Sequence, residues 1–74
     1  MINNKYKFHF EILENLMKEK SINTSALSKE TGISTGNLSD WKSGRSRPTL
    51  DALCVLADYF NVTIDFLIGR TELR

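Results

Sequence analysis

One pattern recurs along the chain and limits what it can become: an apolar residue, then Asn, Ser or Thr, then a second apolar residue five positions after the first. Ile22-Asn23 with Leu27, Ile33-Ser34 with Leu38, and Val62-Thr63 with Leu67 all fit it. This is the hydrophobic staple around a helix N-cap, in which the side-chain oxygen accepts a backbone N–H that has no partner within the helix. Thr49, between Pro48 and Leu50-Asp51, is a fourth cap candidate. Asp51 and Asp65 then fall in first turns, where the helix dipole favours negative charge. Gly32, Gly44 and Gly69 each follow a helical stretch, where a residue without Cβ takes the left-handed conformation that ends a helix. The spacing predicts five helices, over about 8–20, 24–31, 35–43, 50–60 and 64–68, and strand signals are nearly absent. Phe8, Ile12, Leu13, Leu16 and Met17 form the buried stripe of the first helix; Leu50, Leu53, Leu56, Ala57 and Phe60 form that of the fourth.

Seventy-four residues allow one core. The expectation is therefore an all-α, single-domain chain with its core at about 8–69, an N-terminal arm at 1–7 and a tail at 70–74. With 41% hydrophobic and 26% charged residues the composition is that of an ordinary globule. No apolar run approaches the roughly eighteen residues of a membrane span, and residues 1–7 lack the apolar stretch of a secretion signal. One cysteine and one histidine cannot assemble a zinc site. A cytoplasmic protein without metal or cofactor is expected. Cys54 is expected as a small buried hydrophobe. His9 has no partner in sequence that would make it a base or a ligand, which leaves surface or capping use.

Net charge is +1, and its distribution is more informative. Between Lys18 and Arg47 there are six basic and three acidic residues, whereas from Pro48 to Gly69 the only charges are Asp51, Asp58 and Asp65. Either one face is suited to phosphate and another is not, or these are solvated surface charges that happen to segregate. The two short helices separated by Gly32-Ile33-Ser34 make a helix–turn–helix, the glycine reversing the chain and Ile33 pinning the second helix to the core. On that second helix, residues 35–43, Leu38 and Trp41 point inward. About 100° per residue then puts Gly36, Ser39, Asp40 and Ser43 outside, with Thr35 and Asn37 exposed at the amino end. Surface helices more often carry Lys and Glu there, whereas short donors and acceptors approach base edges closely in a major groove. Lys42, Arg45 and Arg47 follow in a Gly-Arg-Ser-Arg loop suited to phosphates.

Residues 24–34 (TSALSKETGIS), 38–44 (LSDWKSG), Pro48 and 56–62 (LADYFNV) together resemble the Cro/CI-type (XRE) helix–turn–helix family of phage and bacterial repressors. The resemblance spans about residues 8–69. It implies a five-helix, lambda-repressor-like domain whose third helix enters the major groove of double-stranded DNA, usually as a homodimer on a two-fold symmetric operator. By position, Thr35, Gly36 and Asp40 match the family's principal base-contacting residues, with Asn37 and Ser39 beside them. Thr24, with Ser25 next to it, matches a phosphate-touching position that braces the recognition helix. Ser43 and residues 45–47 match backbone contacts, and Lys42 joins them. The family often has Gln where Thr24 and Thr35 stand; the shorter threonines favour contact through a methyl or through water. A first-helix Arg that often pairs with a third-helix Glu corresponds here to Met17 and Lys42. That pair is therefore absent, which leaves Lys42 for a phosphate and Met17 to pack on Trp41.

Several residues admit two roles. Asp40 either accepts from a cytosine amino group or pairs with Arg45 or Arg47. Trp41 belongs to the core rather than to a base stack. Lys5 and Lys7 form either a basic arm on the DNA backbone or a frayed end. Ile64, Phe66 and Ile68 either make a dimer contact or fill the core. The leading expectation is a sequence-specific regulator, most simply a repressor that blocks a promoter. The alternative is a protein-interaction module on the same fold, such as an antitoxin or controller subunit. An enzyme finds no support, since there is no nucleophile with a base, no phosphate-cradling glycine loop and no metal spacing.

Overall fold

In the computed structural model, which describes residues 8–74, the four marked caps are all in place. Asn23, Ser34, Thr49 and Thr63 have extended backbone and accept from the N–H three residues on, at Ala26, Asn37, Ala52 and Phe66 (2.8, 3.0, 3.1 and 3.0 Å). They open α2 (Thr24–Thr31), α3 (Thr35–Ser43), α4 (Leu50–Phe60) and α5 (Ile64–Leu67). Ahead of them runs α1 (Phe10–Lys20), whose N-cap position His9 provides no side-chain cap bond. The described residues contain no strand, and the chain is all-α. Gly32 and Gly44 end α2 and α3 in left-handed conformation (φ 78° and 82°). Ser21 and Asn61 do the same after α1 and α4 at φ 56°, so two stops were not marked by glycine.

All five helices contribute to one core. Leu13, Leu27, Leu38, Leu56 and Leu67 are its fully buried members, one from each helix. Burying each of them stabilises the fold by about 1.5–3 kcal/mol before entropy is counted. Leu27, Leu38 and Leu67 are the far ends of the three staples, so each cap is tied directly to the core. Phe10, Leu16, Met17, Ile33, Trp41 and Ala57 complete it. Trp41 is 6% exposed and lies edge-to-face with Phe8 at 6.2 Å, a core residue as expected.

Three expectations require correction. The first helix starts at Phe10 rather than 8, and Phe8 packs on the core from just outside it. Leu50 is 68% exposed rather than buried. It stands six positions before Leu56, about 120° away around the helix, and at the first turn of α4. Cys54 is exposed too, because two positions from Leu56 is about 200°, nearly the opposite side. In addition, residues 70–74, expected as a tail, fold back. The Thr63 N–H donates to the Arg74 carbonyl at 2.9 Å, and the Arg74 guanidinium forms a two-pronged pair with Glu19 of α1.

Candidate nucleic-acid interface

The turn between α2 and α3 is fixed by a side chain that the sequence reading missed. Thr31 Oγ1 donates to the Leu27 carbonyl (2.7 Å) and accepts from the Ile33 N–H (3.2 Å), bridging the end of one helix to the approach of the next. Gly32 reverses the chain between them, and Ile33, 9% exposed, anchors the turn in the core. With Leu38 and Trp41 buried, α3 has one way to face. Thr35, Gly36, Asn37, Ser39, Lys42 and Ser43 are exposed and Asp40 is half-buried. Thr24 and Ser25, opening α2, are exposed on the same helix–turn–helix unit. The residues expected to meet bases and backbone are all accessible apart from the half-buried Asp40. A Cβ placed at Gly36 would meet only Ser34 Oγ, at 3.9 Å, so the space above α3 at that point is open.

Between α1, the start of α2 and α3 lies an open groove of about 430 Å³. Its lining includes apolar Met17 and Leu38, hydroxyl-bearing Thr24, Thr35 and Ser39, and Lys42.

The charges around α3 are arranged in pairs. Arg45 Nη1 is 3.5 Å from Asp40 Oδ1, so of the two roles open to Asp40 the pairing with an arginine is realised in the free protein. The Asp40 carbonyl also accepts from the Arg45 N–H (2.9 Å) and from the Ser43 hydroxyl (3.1 Å). Lys42, expected to be free for a phosphate, is paired in the free protein: its Nζ is 3.2 Å from Glu14 Oε2 of α1. A first-helix to third-helix ion pair does exist here, one turn before Met17 and with its charges reversed, and Glu14 is the residue the sequence reading missed. Glu14 stands three positions before Met17, and that spacing was the available signal. Met17 itself is buried in the same core as Trp41. Arg47 is exposed. Lys5 and Lys7 lie outside the described residues.

At the other end of the molecule Ile64 and Phe66 are half-buried against the core, and Ile68, also half-buried, follows α5. The Arg74 guanidinium lies 5.2 Å from the centre of the Phe66 ring, a cation–π arrangement. The large exposed apolar side chains are instead Leu50, Val55 and Leu73, at 68%, 40% and 80%. Among the described residues no three His, Cys, Asp or Glu side chains come together as metal ligands, and no helix is long and apolar enough to cross a membrane.

Two short capped helices joined through a left-handed glycine, the second buried along one edge and presenting small polar groups on the other, define a helix–turn–helix domain. Residues 12–71 match the Cro/C1-type HTH DNA-binding domain, and the chain belongs to that family. It is 38% identical over 60 residues to the HTH-type transcriptional regulator AnsR of Bacillus subtilis (strain 168), a match covering 81% of this chain and 52% of that protein. It is 32% identical over 63 residues to the HTH-type transcriptional activator BcrR of Enterococcus faecalis (85% and 31%). A third relative, the uncharacterized HTH-type transcriptional regulator YobD of Bacillus subtilis (strain 168), is 27% identical over 60 residues (81% and 54%). The chain thus spans from about a third to about half the length of these relatives. No solved structure gave a significant match.

Proposed function

We propose that this chain is the DNA-reading part of a transcriptional regulator, binding double-stranded DNA sequence-specifically with α3 in the major groove. The observation that carries this is the outer face of α3, where Thr35, Gly36, Asn37 and Ser39 are all short and exposed beside the Arg45 to Arg47 loop. Short side chains let the helix approach base edges, and cations fix it on the backbone. In this reading Thr35, Gly36, Asn37, Ser39 and Asp40 face bases, while Thr24, Ser25, Lys42, Ser43, Arg45 and Arg47 face phosphates. Asp40 then accepts from a cytosine amino group only when Arg45 has turned to the backbone. The protein acts as a homodimer through Ile64, Phe66 and Ile68, with half-sites about 10 base pairs apart or a multiple of that, and represses by occupying a promoter.

The test is selection from a random double-stranded DNA pool with purified protein at two salt concentrations, which separates base readout from backbone attraction. A two-fold symmetric motif is expected. Folded protein that enriches no motif would sink the proposal. A second reading, a protein-interaction module, is favoured by exposed Leu50 and Val55 on α4. Its signature is a partner complex indifferent to Arg45→Ala and Arg47→Ala.

A further inference from the structure

Among the described residues, Glu14 is the one acidic residue lining the groove between α1 and α3, which two lysines also line. Lys42 of α3 is 3.2 Å away, and Lys18, one turn further along α1, lines the same groove. Thr24, Thr35 and Ser39 form part of the groove's wall. In the DNA-binding reading above, Thr24 and Lys42 face phosphates, and a phosphate on Lys42 comes near the Glu14 carboxylate 3.2 Å from that lysine. There the carboxylate does two unfavourable things: it repels phosphate, and it competes with phosphate for Lys42. The pair is exposed on both sides, 66% at Lys42 and 40% at Glu14, and exposed pairs contribute little to stability. Its consequence therefore lies in binding rather than in folding.

We propose that Glu14 limits the affinity of the DNA interface by holding Lys42 toward α1, so that a backbone phosphate must displace it to engage the lysine. The inference rests on the DNA-binding reading above. Because the competition is for a phosphate-contacting cation, it lowers binding to every sequence alike and leaves discrimination to the outer face of α3. Weak sequence-independent binding then follows from one carboxylate, without any change in the residues that face bases.

The experiment is a double-mutant cycle on duplex binding at two salt concentrations, using wild type, Glu14→Gln, Lys42→Gln and the double variant, each checked for an unchanged thermal melt. Glu14→Gln is expected to tighten binding about threefold at 0.1 M salt, on operator and unrelated duplex alike, as removal of one nearby charge in a watery setting allows. In the Lys42→Gln background the gain is expected to shrink, leaving only the direct repulsion between Glu14 and phosphate. Equal tightening in both backgrounds would overturn the proposal, since Glu14 would then act by bare charge and not through Lys42. No change in affinity would overturn it too, and so would a change confined to one base pair. Wild-type binding separates the two levels: if the wild type binds no duplex, the DNA reading falls and this inference with it. If the wild type binds and Glu14→Gln leaves affinity unmoved, this inference falls alone.

Discussion

Helices α3 and α4 are built by the same rules on the inside and differ on the outside. Each opens on a hydroxyl cap, Ser34 or Thr49, and each seats a leucine in the core, Leu38 at 1% exposure and Leu56 at 0%. Outside, α3 shows threonine, glycine, asparagine and serine, whereas α4 shows Leu50, Cys54 and Val55 among Asp51 and Asp58. The inner faces specify the fold, and they impose nothing on the outer ones. Function is therefore read from the residues that packing does not need. The polar, cation-flanked face of α3 fits a polyanion with readable edges, and the apolar, acidic face of α4 fits anything but one.

If the inner faces are equivalent, truncating either leucine should cost about the same. Leu38→Ala and Leu56→Ala are each expected to destabilise by about 2–5 kcal/mol, measured by urea unfolding, enough to unfold a domain this small at ambient temperature. A cost at Leu38 well below that at Leu56 would show that the helix–turn–helix is only loosely held and would break the comparison. Caps sharpen it further. Ser34→Ala and Thr49→Ala should each cost about 1 kcal/mol, but only Ser34→Ala should also weaken DNA binding beyond its effect on stability, because it frays the turn bearing Thr35 and Asn37. Equal binding losses from both would mean that α3 has no special part in recognition.

Gly36 offers a cleaner separation of fold from function. A methyl there meets only Ser34 Oγ, at 3.9 Å, and Ala favours a helix over Gly by about 0.5–1 kcal/mol. Gly36→Ala is thus expected to raise the melting temperature by a few degrees and yet weaken duplex binding, by filling space that α3 needs for approach. Unchanged affinity in the stabilised variant would remove Gly36 from the interface.

How much of this was legible beforehand depended on range. Caps, staples and the glycine stops after α2 and α3 are decided within five residues, so Asn23, Ser34, Thr49 and Thr63 could be read directly, and with them the starts of α2 to α5 and the outward face of α3; the start of α1, which has no side-chain cap, could not. The αL stops at Ser21 and Asn61 escaped because residues other than glycine seldom adopt that conformation. Exposure of Leu50 and Cys54 was available in the helical angle, since they stand about 120° and 200° around α4 from Leu56, but spacing alone does not say how wide a stripe the core covers. Ion pairs were the least legible part of the site. Glu14 with Lys42, and Glu19 with Arg74, join residues 28 and 55 positions apart, and only the packing of α1 brings them together.

The pairing of Glu19 with Arg74 gives the smallest effect and a test of the α5 end against the α3 end. The Arg74 hydrogen bonds hold the Glu19 carboxyl below its ordinary range, outweighing the partial loss of water around it, and the same contact raises Arg74. A carboxyl depressed in the folded state stabilises above its unfolded value, near 4.3, and that contribution is lost as pH falls through the lower folded value. Acidification from about pH 5 downward should therefore release residues 70–74 from α1 and uncover Phe66. Following amide chemical shifts across that range checks it, with Glu19→Gln expected to give the released spectrum already at neutral pH. A tail that stays docked in Glu19→Gln would place the hold on the Thr63 N–H to Arg74 carbonyl bond instead, and would mean that the α5 face is closed by backbone rather than by charge.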